Sequence, residues 1–224
     1  AYEQLSGGRF SGMVQHVQLP GVRLVHEESN QALRQRGDLG NGAYGFAMPV
    51  AQSGHAIFNG QKVDRDAIMV GRSDELDLCT PLNFSLIAVV VDADLLGQLW
   101  ERMYLKPVST WMESQLVLPA HPVVADDLRR LHLRAMAMFT EDSPSFQDER
   151  ALKQLRDEVL IEWLEALPAQ VDTSELPKVT GRKKLVDRAC ELMLTSTDEP
   201  LSMLEVCQRV GASRRKLNYC FQDV

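Results

Sequence analysis

The stretch "SRRKLNYCFQDV" at positions 213–224 concentrates side chains that recognise base edges and phosphates. On a helix, Arg215, Asn218, Tyr219 and Gln222 fall at i, i+3, i+4 and i+7, a single face. Arginine donates two parallel hydrogen bonds to guanine O6 and N7, and asparagine or glutamine pairs with adenine in the same bidentate way. Arg214 and Lys216 lie beside that face and suit phosphate oxygens, which add affinity without sequence information. Leu217, Phe221 and Val224 are spaced to form the opposite, inward face.

The residues just upstream supply the elements that would hold such a helix. Ser202-x-x-Glu205 is a capping box, in which side chain and backbone satisfy each other's unpaired N–H groups at a helix start. Gly211 suits the left-handed conformation that ends a helix sharply, and Ser213 suits the N-cap of the next helix. Two short helices around a tight turn, the second basic and amide-rich, are expected to form a helix-turn-helix whose second helix enters a major groove. Upstream again, "KLVDRACELMLTSTDEP" predicts a helix with Leu185, Val186, Ala189, Leu192 and Met193 on its apolar side.

Charge separates this region from the rest. The 224 residues carry a net −7. Residues 178–224 hold nine Lys/Arg against six Asp/Glu, a net +3, which leaves −10 on residues 1–177. A basic end on an acidic carrier points to a nucleic-acid-binding segment. With 45% apolar and 25% charged residues the composition is that of a globular protein. No apolar run has the length of a membrane span, so no membrane partner is expected. Cys79, Cys190, Cys207 and Cys220 are scattered, with neither C-x-x-C spacing nor a histidine cluster, which fits free thiols in a reducing cytoplasm.

The first 91 residues alternate apolar and polar positions in short runs: "GMVQHVQLP", "GVRLVHEES", "YGFAMPV", "HAIFNGQKV", "DAIMVG" and "FSLIAVVV". Asn59-Gly60 between two such runs favours a two-residue hairpin turn. A sandwich or small antiparallel barrel is expected, with Tyr44, Phe46 and Phe58 as aromatic candidates for lining a ligand pocket. From Asp92 the period becomes helical. Leu95, Leu96, Leu99 and Met103 mark one helix, Val124, Leu128, Leu131, Ala135 and Met138 a second, and Leu152, Leu155, Val159, Trp163, Leu164 and Leu167 a third. The polar "TEDSPS" would join the last two as an antiparallel pair. "PAQVDTSELPKVTGRKK", with two prolines and a glycine, is the expected linker.

Taken together, "EPLSMLEVCQRVGASRRKLNYCFQDV" resembles the first helix-turn-helix of AraC/XylS-type transcription regulators. The family pattern of an apolar-Ser/Thr start, a small residue four before a glycine, a serine two after it and a Leu-x-x-x-Phe helix is met by Leu201-Ser202, Cys207, Gly211, Ser213, Leu217 and Phe221. Cys207 stands where the family usually has alanine. The terminal helix is most similar to regulators of the ethanolamine-utilisation kind.

The resemblance implies an α+β chain divided as follows: a cupin-like β-barrel sensor over 1–91, a helical dimerisation region over 92–170, a linker over 171–180 and the first helix-turn-helix over 181–224. It assigns DNA contact to Ser213, Arg214, Arg215, Lys216, Asn218, Tyr219 and Gln222. It also implies DNA, RNA polymerase, a small-molecule effector and a second copy of the chain as partners. Family members carry a second helix-turn-helix. Its absence after Val224 suggests a truncated chain, with a terminal helix that is frayed, repacked or held by another molecule and that binds DNA weakly.

Two other readings compete. Metal-dependent cupin enzymes place two histidines as H-x-H with a later Glu and His, and His16, His26, His55, His121 and His132 lack that spacing. No catalytic constellation stands out, so no enzyme activity, metal or cofactor is expected. The alternative is a metal-free, cupin-like small-molecule-binding or protein-interaction module that does not bind DNA.

Overall fold

A computed structural model describes residues 1–40, 42–72, 76–112, 116–139, 148–168, 179–196 and 199–223. Eleven strands are described among them: β1 Tyr2–Gln4, β2 Gly12–Leu19, β3 Val22–Ser29, β4 Leu33–Gly37, β5 Ala43–Ala51, β6 Ala56–Phe58, β7 Gln61–Val63, β8 Ala67–Gly71, β9 Leu76–Thr80, β10 Phe84–Asp92 and β11 Val117–Pro119. The helices are α1 Ala93–Tyr104, α2 Val108–Met112, α3 Pro122–Ala137, α4 Glu149–Ala166, α5 Val179–Thr195, α6 Met203–Val210 and α7 Arg214–Asp223. The chain is thus α+β, with antiparallel sheets followed by helices.

The expected barrel takes the form of two sheets, ordered β1-β4-β9-β6-β7 and β11-β8-β5-β10-β3-β2. Among the described residues no hydrogen-bonded strand pair joins them into a closed ring. Asn59 and Gly60 both adopt positive φ, 45° and 82°, in the two-residue hairpin between β6 and β7, as their types require.

β10 explains the layering. Its "FSLIAVVV" run is apolar apart from Ser85, which bonds His26, because both faces are covered. Leu86, with Phe84, joins Phe58, Met69 and Leu78 in the core between the sheets. Ile87, Val89 and Val91 face the helices, in the same core as Leu96, Leu99 and Trp100 of α1 and Leu128 of α3. Trp100 stacks between Tyr104 and Trp111, each ring centroid 4.6 Å away.

α3 is rotated from the expected stripe. Its buried positions are Ala125, Leu128, Arg129, His132, Ala135 and Met136, whereas Met138 is exposed. The two polar members enter the core because hydrogen bonds offset the cost of burying them. Arg129, 4% exposed, donates to the Pro49 carbonyl at 2.8 Å, to Asp126 at 2.7 Å, to Asp66 at 2.8 Å and to the Arg65 carbonyl. His132, fully buried, bonds the Val25 carbonyl at 3.1 Å through Nε2 and accepts from the Trp163 indole at 3.2 Å through Nδ1. Those partners fix a neutral tautomer with the proton on Nε2, and burial pulls its pKa down to about 4. One side chain therefore connects β3, α3 and α4.

α4 is buried on two sides. Val159, Leu160 and Trp163 belong to the main core, while α6 and α7 lie against its other side. The "TEDSPS" turn and residues 171–178 of the expected linker lie outside the described residues. α5 begins at Val179, so "GRKK" is helical and not part of the linker.

Candidate nucleic-acid interface and ligand cavity

The helix-turn-helix geometry at 202–223 follows from its caps. The Ser202 hydroxyl accepts from the Glu205 amide at 3.1 Å, and the Glu205 carboxylate accepts from the Ser202 amide at 2.9 Å. Gly211 ends α6 in the left-handed conformation at φ 73°, its amide bonded to the Cys207 carbonyl. Ser213 then caps α7 by accepting from the Lys216 amide at 3.1 Å. Cys207 is fully buried where α6 meets its neighbours, and burial pushes its thiol pKa up to about 12, so it serves as a small packing residue.

The terminal helix is neither frayed nor uncovered. Leu217 and Cys220 are buried, and α7 packs on α5 and α4. The inward face is rotated from the expected one: Leu217 and Cys220 form it, Phe221 is 40% exposed, and Val224 lies outside the described residues. α4 contacts the first turn of α7 through Glu162 and Glu165, at Arg214 and Arg215.

That rotation divides the expected reading face. Asn218, Tyr219 and Gln222 are exposed, with the Tyr219 ring 5.5 Å from the Arg182 guanidinium. Arg215 is turned inward. Its guanidinium donates to the Glu165 carbonyl at 3.0 Å and the Leu167 carbonyl at 3.2 Å, closing the C-terminal end of α4. Its backbone amide donates to the Glu165 carboxylate at 3.1 Å. Arg214, expected at a phosphate, pairs with Glu162. Lys216 and Ser213 are buried. Burial raises the pKa of Glu165, and the charges of Arg215 and Arg214 oppose that rise.

α6 is fastened to the same helix. Asp157 of α4, 1% exposed, accepts from the Arg156 guanidinium at 2.6 Å and from the Ser202 hydroxyl at 2.6 Å. Arg156 also donates to the Pro20 carbonyl in the β2–β3 turn at 3.3 Å. Lys153 forms an ion pair with Glu205. None of these α4 partners is marked by the terminal motif itself.

A second feature lies between the sheets. An apolar cavity of about 170 Å³ is bounded by β3, β5, β8 and β10 on one side and β4, β6 and β9 on the other. Phe58 lines it. Phe46 borders it, but its ring is 6.4 Å from that of Trp111 on the helical side, and Tyr44 packs into that same helical-side core. Both belong to the opposite pleat of β5. Gly45 and Gly71 pair across β5 and β8, and Leu39 occupies the space they leave. A Cβ on either would come within 2.8 or 3.1 Å of its methyl group.

Sequence reading missed Glu27 in this wall. It is 9% exposed and accepts from the Tyr2 hydroxyl at 3.2 Å and from the Gln35 amide. Burial raises its pKa against those two hydrogen bonds. Burial likewise pushes the Tyr2 pKa up to about 12.

No family model matches the chain. Among solved structures, a cupin superfamily protein from Desulfitobacterium hafniense DCB-2 aligns with 40% of this chain and 84% of its own, at 10% identity and a TM-score of 0.30. ToxT from Vibrio cholerae aligns with 96% of this chain and 75% of its own, at 8% identity and a TM-score of 0.34. Wild-type ToxT of strain SCE256 with bound unsaturated fatty acid gives 96%, 73%, 9% and 0.35. At these scores none of the three fixes a family.

Proposed function

We propose that the chain is a ligand-responsive, sequence-specific DNA-binding regulator of transcription, with the inter-sheet cavity as its effector site and α6–α7 as its reading unit. The observation that carries this reading is the capped helix-turn-helix at 202–223, whose second helix presents Asn218, Tyr219 and Gln222 to solvent, while α4 engages Arg214 and Arg215. In this arrangement the two arginines are withheld from DNA. An effector acts by favouring a second arrangement in which they leave α4. The role implies RNA polymerase and a second copy of the chain as partners, and the exposed Val123 and Met138 on α3 make that helix the candidate seam.

Selection of duplexes from a random library by the purified chain tests the proposal. A recurrent motif should emerge, with affinity falling steeply as salt rises. Arg215→Ala should lower discrimination against random DNA by about 1–3 kcal/mol. A library without enrichment overturns the proposal. The engagement of Arg214 and Arg215 with α4 favours the competing reading, a small-molecule-binding module that does not touch DNA, and the same selection decides between them.

A further inference from the structure

We infer that the inter-sheet cavity binds a short ligand with an apolar body and a protonated amine head, the amine donating to the Glu27 carboxylate. This rests on the reading of the cavity as the effector site and adds its chemical class. Glu27 is buried in the cavity wall, and among the described residues no cationic side chain pairs with it. Its partners are a phenol and an amide, both neutral donors. Each carboxylate oxygen therefore keeps lone-pair capacity unused. Leaving a carboxylate out of water without a countercharge is costly, and a charged donor offsets that cost more than a neutral one does.

The rest of the wall favours hydrocarbon. Among the described lining residues, apart from Glu27, only Arg23 and Gln35 are polar, and Phe58, Leu78 and Leu86 represent the apolar remainder. Arg23 is exposed at the rim, where water screens its charge, so it selects an anion weakly. An anionic head placed deeper would meet Glu27 as a like charge. About 170 Å³ lies well below the ~300–1,000 Å³ of drug-sized pockets, so the body is short.

The experiment titrates the full chain with n-butylamine, n-butanol and n-butyrate at neutral pH and millimolar concentration, following the methyl resonances of Met69, Leu78 and Leu86. The amine is expected to shift these methyls saturably and to bind at least tenfold more tightly than the alcohol. Glu27→Gln, which keeps an acceptor for Tyr2, should abolish that preference while the alcohol still binds. Ala88→Leu, which fills the cavity from β10, should remove binding of every probe and serves should Glu27→Gln fail to fold. Equal binding of alcohol and amine, or preference for butyrate, overturns the amine class and leaves the cavity as a site. Unmoved methyls with all three probes overturn the effector-site reading as well.

Discussion

Arg215 and Glu165 bond each other twice, in opposite directions: the arginine side chain reaches the glutamate carbonyl, and the glutamate side chain reaches the arginine amide. Each residue thereby satisfies the end of the other's helix, the last carbonyls of α4 and the first amides of α7. On the proposed function, DNA would have to compete with α4 for the N-terminal turn of α7.

Loosening that contact should strengthen DNA binding. Glu162→Gln with Glu165→Gln removes the charged partners of Arg214 and the Arg215 amide. Affinity for duplex DNA is expected to rise about tenfold, the equivalent of one charge-assisted hydrogen bond. Fluorescence anisotropy measures it, with the exposed pair Glu149→Gln and Glu158→Gln as the control for an equal change in net charge. Unchanged affinity in the double variant would mean that α4 does not mask the reading unit.

His132 sets an acid limit to stability. Its folded pKa of about 4 lies below the ordinary 6.5, so the unfolded chain binds the extra proton between those values. Stability from this residue is complete above about pH 6.5 and declines as pH falls towards 4. The loss reaches about 3 kcal/mol from the linkage relation. Urea unfolding midpoints at a series of pH values should show this slope, and His132→Gln should flatten it. An equal slope in the variant would assign the acid sensitivity to other groups.

Arg129 fastens α3 to the sheet and the turn before β8 through Pro49, Arg65 and Asp66, with Asp126 of the same helix as its fourth acceptor. Arg129→Leu leaves Asp66 short of its buried partner and the Pro49 carbonyl unpaired, so a loss of about 3–5 kcal/mol is expected. Arg129→Lys should recover only part, because an ammonium lacks the planar fork that reaches all four. Urea denaturation reads both, and full stability in the lysine variant would show that charge alone suffices.

Ser202 has two roles, capping α6 and donating to Asp157. Ser202→Ala should weaken the unit by about 1–2 kcal/mol from the lost cap, with hydrogen exchange faster in α6 and unchanged in α3. Uniformly faster exchange in both helices would instead indicate one cooperative unit.

The alternating strands and the Asn59-Gly60 hairpin were legible because one buried face leaves a period of two. β4 and β9 were not. "LRQRG" is polar after its first residue, and "LDLCT" alternates over only five residues; Asp77, opposite Arg36 in register, pairs diagonally with Arg34 across the two strands. β11 was hidden inside a helical region, since three residues carry no period. The caps of α6 and α7 were legible from residue type alone. Side-chain direction on α3 and α7 was not, because helical spacing assigns polar residues outward. Arg129, His132 and Arg215 each turn inward to partners far away in sequence. Glu27 was overlooked for the same reason: an acidic residue on a strand reads as a solvent-facing position.

The chain from the Pro20 carbonyl through Arg156 and Asp157 to Ser202 has a thermodynamic corollary. A free energy shared between two sites is reciprocal. Whatever factor cavity occupancy imposes on operator affinity through this connection, the operator must impose on cavity occupancy. On the proposed function, DNA would then be an allosteric ligand of the sheets. Titrating the small molecule with and without bound operator would measure the same factor from the opposite side.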